Sequence, residues 1–379
     1  MTHATVPAVH AGTARRAVLA SVAVFAVSRL AATVAVALAA HDTGRALLDL
    51  LTKADGLRYL AIAADGYAPP PPVGPDGIYV HTTNLAFFPL YPLSIRLFSW
   101  AVDPRLAAVV AALVAGVVAT VLMTLWALPR AGARGAVVLV AVWSMWPSSV
   151  VLGMGYSESL FVAAAAGCLL AMQRGRWVWA AVACTVAGLT RPTAAALVAA
   201  LLVAIVMHRP PWRSWLPAAL LAPVGLLVSL GHVAIATGRL DGWFWLESTV
   251  WRSGFDGGRS TVSNLVHAFT GSTAERAAPL AVAAVTCVVA VLLLLALLVS
   301  RPPLEEATYA VLATVMALGG VGYFHCKPRF LGVVLPLFVA PARWLSRLPV
   351  ALLVLLGLAA LALSAWWSAW LVVTWPFSI

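Results

Sequence analysis

Charged side chains are scarce in this 379-residue chain: they make up 10% of its residues, against 63% hydrophobic residues, and the mean hydropathy is +0.97. A soluble domain carries about 25% charged residues, so this composition excludes a soluble globular protein. Apolar runs long enough to cross about 30 Å of hydrocarbon recur along the whole chain. The sequence therefore predicts an all-α polytopic membrane protein.

Cysteine and lysine are scarce as well. The four cysteines show no CxxC or CxxH spacing, which argues against a disulfide framework or a zinc site. Only two lysines, Lys53 and Lys327, accompany 22 arginines. The basic residues are spread over separate loops without forming a basic stripe, so we expect no nucleic-acid partner.

Eleven apolar segments are predicted to be transmembrane helices, in a single domain over residues 1–379. They are Ala17–Ala40, Ala107–Leu128, Ala136–Val151, Leu160–Met172, Val178–Leu189, Thr193–Met207, Trp215–Thr237, Ala278–Val299, Thr308–Tyr323, Leu331–Ala342 and Pro349–Thr374. The first reads as a retained helix, not as a cleaved signal peptide. Several are shorter than a full span, and we expect these to tilt, kink or form re-entrant pairs.

Arginines concentrate in one set of connecting segments and acids in the other. With the N-terminus in the cytoplasm, all acids except Glu305 and Glu306 fall outside, and the short basic loops obey the positive-inside rule. This orientation predicts a multi-pass protein of the plasma membrane with two large extracytoplasmic loops, about residues 41–106 and 238–277. The first of these loops is expected to carry short surface helices.

The first large loop opens with KADGLRYLAIAADGY, residues 53–67, in which Leu57, Leu60, Ala61 and Ala64 predict a short amphipathic surface helix. Asp55 opens this helix and has two interpretations. It is a candidate general base at the mouth of a membrane cavity. It is also a candidate N-cap of the helix, since Asp followed by Gly and a helical run is a helix start signal, and the two interpretations do not exclude one another. The local pattern alone favours the cap.

The same loop continues with AFFPLYPLSIR, residues 86–96. Two prolines and three aromatic residues predict a bent aromatic element at the membrane interface. Such an element either anchors the chain at headgroup depth or offers a surface to a lipid or a sugar ring.

Glu158, in MGYSESLF, is predicted to lie at or just inside the start of a helix, whereas the membrane spans otherwise contain no carboxylate. An ionisable group in that position is costly and indicates a functional site with a partner nearby. The alternative is an N-terminal acid favoured by the helix dipole. The sequence leaves both interpretations open.

Basic residues gather at outer helix ends, against the positive-inside bias. They are Arg191 in LTRPT, and His325, Lys327 and Arg329 in YFHCKPRFLG. Such a cluster is suited to an anionic phosphate; the alternative is snorkelling to lipid headgroups. Arg29 lies in the middle of the first span, and we expect it to pair with an outer or intramembrane acid.

The order of KADGLRYLAIAADGY, AFFPLYP, GYSESLF, LTRPT and KPRFL resembles the PIG-V-like family, over about residues 15–345. This family comprises the second mannosyltransferase of GPI-anchor synthesis and its bacterial relatives, and belongs to the GT-C class of membrane glycosyltransferases. The resemblance implies transfer of mannose from a polyprenyl-phosphate donor to a lipid-linked or cell-envelope glycan acceptor. Ala54 stands where the family has an aromatic residue.

The resemblance also implies roles for individual residues in an inverting transfer. Asp55 would be the general base, and Arg191, Lys327 and Arg329 would stabilise the leaving lipid phosphate. His325 would support these cations, and Glu158 would orient them or a sugar hydroxyl. Arg58 and Tyr59, beside Asp55, complete the expected substrate-binding set. No DxD motif for a metal-bound nucleotide sugar is present, so the scheme needs no metal or other cofactor.

Two other classes of function compete with the enzyme. A lipid or glycolipid transporter would also be polytopic, although transporters often show an internal repeat and charges near the midplane of the membrane, neither of which stands out here. A non-catalytic scaffolding subunit would not need Asp55 and a basic cluster on one side of the membrane.

Overall fold

The structure, a computed structural model, describes residues 11–41, 43–70, 83–270 and 277–379, and these are almost entirely helical. The α-helices in these ranges are α1 (Ala11–His41), α2 (Leu47–Leu51), α3 (Asp55–Asp65), α4 (Leu90–Phe98), α5 (Pro104–Ser144), α6 (Glu158–Gln173), α7 (Trp177–Gly188), α8 (Ala194–His208), α9 (Trp212–Leu221), α10 (Val224–Thr237), α11 (Gly242–Thr249), α12 (Arg259–Thr270), α13 (Ala277–Val299), α14 (Leu304–Gly319), α15 (Lys327–Leu331), α16 (Val339–Leu345) and α17 (Val350–Val373). Two-residue strands β1 (Gly254–Phe255) and β2 (Gly320–Val321) pair antiparallel. The predicted all-α class is confirmed.

Fewer helices are long enough to cross a membrane than the eleven predicted. In the described residues five helical segments are long and apolar enough, with α9 and α10 counted together as the single segment Trp212–Thr237. The number is six if the bent pair Phe324–Leu331 and Leu335–Leu345 counts as one span. The helices α6, α7 and α8 have 16, 12 and 15 residues. At 1.5 Å per residue they measure about 24, 18 and 22 Å, below the thickness of about 30 Å that a full span covers. The count of eleven spans is not confirmed.

Two predicted segments have different boundaries in the structure. Ala107–Leu128 and Ala136–Val151 fall mainly in one helical stretch, α5, which is broken at Gly132, where φ is 71° and ψ is 177°. Leu331–Ala342 is not one helix, because α15 ends at Leu331 and α16 begins only at Val339. The axes on the two sides of this break differ by 75°.

The helices α6, α8 and α14 run between two polar layers, one at each end. At one end α6 begins with Glu158, next to Arg191. At the other end Glu306 in the first turn of α14 pairs with Arg130, and His208 at the end of α8 lies 3.3 Å from Glu305. Residues predicted to lie outside are thus separated from those predicted to lie inside. Which layer faces the cytoplasm stays a prediction.

Arg29 donates hydrogen bonds to backbone carbonyls and does not pair with an acid. It is buried on α1, and its guanidinium donates to the carbonyl oxygens of Ser144 and Ser149 and, over 3.3 Å, to Ser149 Oγ. Ser144 is the last residue of α5, where helical carbonyls lack intrahelical partners. In hydrocarbon no water can satisfy them. The expectation of an acidic partner is therefore wrong, because Arg29 donates to carbonyl oxygens at and just after the end of α5.

Glycines allow α7 and α10 to cross at very short distance. A Cβ atom on Gly225 would lie 1.9 Å from the carbonyl oxygen of Thr185, and one on Gly188 would lie 2.4 Å from the nitrogen of Leu226. Small residues at crossings are the usual means by which membrane helices pack closely. Ser229 Oγ then donates to the Gly188 carbonyl over 3.0 Å. This contact fixes the end of α7, just before Arg191.

Candidate functional site

A cavity of about 1320 Å³ lies where the predicted outer segments meet. Its walls come from α3, residues 84–88, residues 190–195, α11 with the residues that follow it, the end of α14, and α15. Polar groups such as Asp55 and Arg191 share the wall with apolar ones such as Leu230 and Met316. The cavity therefore has both a charged region and a region suited to hydrocarbon.

Four charged side chains form a continuous series at this wall, here called the ion chain: Asp55, Arg329, Glu158 and Arg191. Arg329 Nη1 donates to Asp55 Oδ2 over 2.6 Å, and Arg329 Nε lies 3.4 Å from Glu158 Oε1. Arg191 Nη1 donates to the same Oε1 of Glu158. The exposed fraction of the side chain falls from 24% for Asp55 to 2% for Glu158. Two acids and two arginines give the ion chain a net charge of zero.

The structure thus gives Glu158 the partners that the sequence led us to expect. It is the first residue of α6, as the helix-dipole interpretation also requires. Its carboxylate, however, lies buried between Arg191 and Arg329. Because an unpaired charge at this depth would be costly, Glu158 holds the two arginines together and is not accessible as a base.

The side chain of Asp55 is directed at Arg329 and does not cap its helix. Asp55 is the first residue of α3, so Ala54 and not Asp55 stands at the N-cap position, and the Asp55 carboxylate accepts from Arg329. The interpretation of Asp55 as only an N-cap is therefore wrong. The preceding Ala54 has φ 54° and ψ −113°, a backbone region that costs energy for a non-glycine residue. The surrounding contacts must hold this conformation in place.

Lys53 supplies one of these contacts. Its ammonium donates to the carbonyl oxygens of Leu371 (3.0 Å), Val372 (2.9 Å) and Trp375 (2.7 Å), at the C-terminal end of α17. Burial, and secondarily the charge of Arg45, lowers the pKa of Lys53 to about 8. The segment that carries Asp55 is thereby tied to the last helix of the chain.

Lys327 performs the same task beside Arg329. Its ammonium donates to the carbonyl oxygens of Ala317 (2.8 Å) and Gly320 (2.8 Å) at the end of α14. Lys327, which was predicted to bind a phosphate, therefore lines the cavity, but its ammonium donates its hydrogen bonds to backbone carbonyls. Phe330 and Tyr156 complete the surroundings of Arg329, whose Cζ lies 5.0 and 5.2 Å from their ring centroids.

Tyr59 links α3 to the ion chain. Its hydroxyl lies 2.9 Å from Ser157 Oγ, which also accepts from Arg191 Nη1 over 3.3 Å. The Tyr59 ring packs edge-on against Phe87, with centroids 5.1 Å apart. Burial raises the pKa of Tyr59, so its phenol stays protonated and can donate.

Arg58 also lines the cavity, and its guanidinium lies 5.7 Å from the ring centroid of Trp251. His325 is not brought to this wall. Its ring packs against Trp375, with centroids 5.3 Å apart, and lines a separate small pocket. These contacts do not bring His325 to the arginines that it was predicted to support in binding a phosphate.

Sequence reasoning missed several residues of the site. Ser157, Tyr156 and Phe330 are ordinary in sequence and gain importance only through their contacts with the two arginines. Glu247 had a signal: it is the single acid in the tryptophan-rich stretch GWFWLESTVW, residues 242–251. It lines the cavity, and burial raises its pKa to about 7; a side-chain hydrogen bond with Ser253 opposes this rise, and the charge of Asp55 adds to it.

The described residues contain no group of three or more His, Cys, Asp or Glu side chains placed to hold a metal ion. No protein-family model matches the chain, and no curated protein matches it. The site is therefore defined by its own contacts: a cavity that is partly apolar, an accessible carboxylate at its wall, and two arginines behind that carboxylate.

Proposed function

We propose that this chain is a PIG-V-like membrane glycosyltransferase with a GT-C-type bundle. It transfers a sugar, mannose, from a polyprenyl-phosphate donor to a hydroxyl of a lipid-linked or cell-envelope glycan, at the extracytoplasmic face of the plasma membrane. The observation that carries this proposal is the ion chain, because it joins a carboxylate at the cavity wall to two arginines, to Arg329 directly and to Arg191 through Glu158. Base and cation are the two groups that such a transfer needs.

The chemistry is a single inverting displacement. The acceptor oxygen attacks the anomeric carbon of the donor sugar and forms a new C–O bond. The bond from that carbon to the phosphate oxygen breaks, and its electron pair leaves with the polyprenyl phosphate. Asp55 accepts the proton of the acceptor hydroxyl. Arg329 occupies its Oδ2, and no described residue donates to its Oδ1.

The ion chain couples this proton transfer to the departure of the phosphate. With Asp55 ionised, its two acids and two arginines sum to zero. When Asp55 takes up the proton, the sum becomes +1, at the moment when negative charge develops on the leaving phosphate. Positive charge fixed beforehand beside a developing anion is a large catalytic effect. Arg191 and Arg329 each have five N–H donors, more than the acids of the ion chain use.

The cavity also suits a lipid-linked substrate in size and lining. Pockets for drug-sized ligands have volumes of about 300–1,000 Å³. This cavity, at about 1320 Å³, is larger. Leu226, Leu230, Ala313 and Met316 add an apolar region between α10 and α14. A nucleotide-sugar donor would have no use for this region, whereas a polyprenyl chain would.

One observation favours the transporter alternative. Arg329 belongs to the bent pair Phe324–Leu331 and Leu335–Leu345, broken by 75°. Discontinuous helices of this type form the substrate sites of many transporters. A transporter moves the intact lipid across the bilayer, whereas a transferase cleaves its bond to the sugar, so the products separate the two functions.

The test uses the purified full-length protein in lipid nanodiscs and in liposomes. Radiolabelled polyprenyl-phosphate mannose is offered with n-octyl α-D-mannopyranoside as acceptor and a chelator present, and GDP-mannose is offered in parallel. The proposal predicts label transfer from the lipid-linked donor only, with no effect of the chelator. Chelator-sensitive transfer from GDP-mannose would refute it. Movement of uncleaved donor across liposome membranes, without transfer, would establish the transporter instead.

A further inference from the structure

A second carboxyl, that of Glu247, lies in the same cavity as Asp55 but outside the ion chain. Glu247 is partly buried on α11, and its carbonyl oxygen accepts from the backbone nitrogen of Ser253 over 2.7 Å. This bond fixes the turn that follows α11. The proposed transfer gives Glu247 no part.

Aromatic rings flank Glu247 and connect α11 to the first large loop. Trp251 packs edge-on against Phe87, with centroids 5.8 Å apart, and Trp243 packs edge-on against Phe88 at 6.3 Å. Trp243 Nε1 also donates to the carbonyl oxygen of Ala86 over 3.2 Å. Flat apolar rings beside one polar group are the usual lining of a small-molecule site. The C–H face of a sugar ring fits such a ring, and its hydroxyls fit the carboxyl.

Glu247 shares the cavity wall with the ion chain but is not paired with its cations. Among the described residues it forms no ion pair with Arg191 or Arg329, whereas Glu158 lies next to both. In an inverting displacement the attacking hydroxyl approaches from the side opposite the leaving phosphate. A phosphate held by the two arginines therefore leaves Glu247, which pairs with neither of them, for the acceptor.

We infer that Glu247, together with Trp243 and Trp251, forms the acceptor subsite, in which the Glu247 carboxylate accepts a hydrogen bond from a hydroxyl of the acceptor sugar. The inference rests on the proposed function and names the binding partner of one part of that site. The sugar of the donor carries the same hydroxyl chemistry, so the test must separate the two sugars.

The subsite has a pH dependence of defined sign. Burial raises the pKa of Glu247 to about 7, so its carboxyl is mostly neutral at pH 6 and mostly ionised at pH 8. An ionised acceptor makes the stronger hydrogen bond, so binding of the acceptor sugar strengthens as the pH rises. The other titratable or charged groups that line the cavity are Asp55, Arg58, Tyr59, Asp65, Tyr67, Arg191, Asp241, Tyr323, Lys327 and Arg329.

Binding without donor tests the subsite apart from catalysis. Titration calorimetry with n-octyl α-D-mannopyranoside, and with the corresponding glucoside, is run on the full-length protein in nanodiscs, with empty nanodiscs subtracted. We expect the wild type to bind one of these glycosides about fivefold more tightly at pH 8 than at pH 6, and Glu247→Gln to bind about fivefold more weakly at pH 8 without pH dependence. Asp49→Asn, an exposed acid outside the cavity, is the matched control and should behave as the wild type. Wild-type affinity and pH dependence in Glu247→Gln, or no binding to the wild type, would overturn the inference.

Transfer kinetics separate the acceptor from the donor sugar. Glu247→Gln should raise KM for the acceptor about fivefold and leave KM for the polyprenyl-phosphate donor unchanged. A change confined to the donor KM would move Glu247 to the donor sugar and overturn the inference. Glu247-dependent binding in a protein that transfers nothing would instead refute the proposed function and leave the subsite standing.

Discussion

Asp55 and Arg329 lie 274 residues apart in the chain and meet over 2.6 Å between Oδ2 and Nη1. Each stands two positions after one of the only two lysines of the protein. Lys53 bonds the carbonyls at the end of α17, and Lys327 bonds those at the end of α14. Both members of the pair are thus held by a cation seated on a helix C-terminus, where positive charge is favourable. The lysines position the pair, which leaves the arginines for the proposed lipid-phosphate substrate.

The buried pair Glu158–Arg191 should show strong coupling in stability. Glu158→Gln leaves the buried Arg329 and the partly buried Arg191 short of countercharge, and loss of one partner of a buried pair costs about 3–5 kcal/mol. The double change Glu158→Gln with Arg191→Gln should cost less than the two single changes summed. Thermal unfolding in nanodiscs measures this.

The matched control is the buried pair Arg130–Glu306 at the opposite polar layer. Glu306→Gln should lower the unfolding temperature to a similar degree but leave the donor KM unchanged, whereas Glu158→Gln should raise it. Unaltered stability of Glu158→Gln would show that the ion chain is not formed in the folded protein.

The sequence predicted the members of this site better than their contacts. Residue type and position at helix ends indicate Glu158, Arg191 and Arg329, whereas the local pattern at Asp55 favours a cap and only the family resemblance indicates a base. Their pairing was not predictable, because it depends on how a bent pair of short helices brings residue 329 beside residue 55. A pattern shows that a cation lies at an interface, but it does not show whether that cation meets a carboxylate, a carbonyl or a ligand.

Arg29 should matter for stability and not for substrate. Replacing it by Met would leave the carbonyls of Ser144 and Ser149 without a donor at a depth without water. Each unsatisfied buried group costs about 1–3 kcal/mol. We expect a lower unfolding temperature with unchanged donor and acceptor KM in the fraction that stays folded. A selective change in either KM would contradict this assignment.

Lys53 should give the proposed transfer an alkaline limit. Its pKa is about 8, so its ammonium is charged below that pH and neutral above it. Because the bonds that hold the Asp55 segment weaken when the charge is lost, kcat should fall as the pH rises through about 8. Lys53→Arg stays charged, since the pKa of arginine exceeds about 12, and should shift the fall to higher pH. An unchanged alkaline limit in this variant would show that Lys53 is not its source.

The orientation is testable with two conservative cysteine substitutions on either side of α13. Ser263 is exposed in α12, and Ser300 is exposed immediately after α13. The native cysteines are buried, so background labelling is low. Ser263→Cys should react with an impermeant thiol reagent in intact cells, and Ser300→Cys only after permeabilisation. The reverse result would place the ion chain at the cytoplasmic face.

Helix length is the other property that the sequence did not predict. The apolar composition of α6, α7 and α8 correctly predicted helices, but their lengths fall short of full spans. In α5 the break comes from Gly132 at φ 71°, a conformation that glycine permits but does not require. Composition predicts that a segment is helical and apolar. It does not predict whether that segment crosses the membrane, because neighbouring helices can shelter a shorter one.

The most direct measurement compares mannose transfer by the wild type and by Asp55→Asn. Asparagine keeps the size of the side chain and a hydrogen bond to Arg329, but it cannot accept the proton. Both proteins are assayed in nanodiscs with polyprenyl-phosphate mannose, an alkyl mannoside acceptor and a chelator, after equal unfolding temperatures have been verified. The account predicts transfer by the wild type and a loss of about 10²–10⁴-fold in kcat for Asp55→Asn, the range for a general base. Near-normal transfer by Asp55→Asn, or none by the wild type, would contradict it.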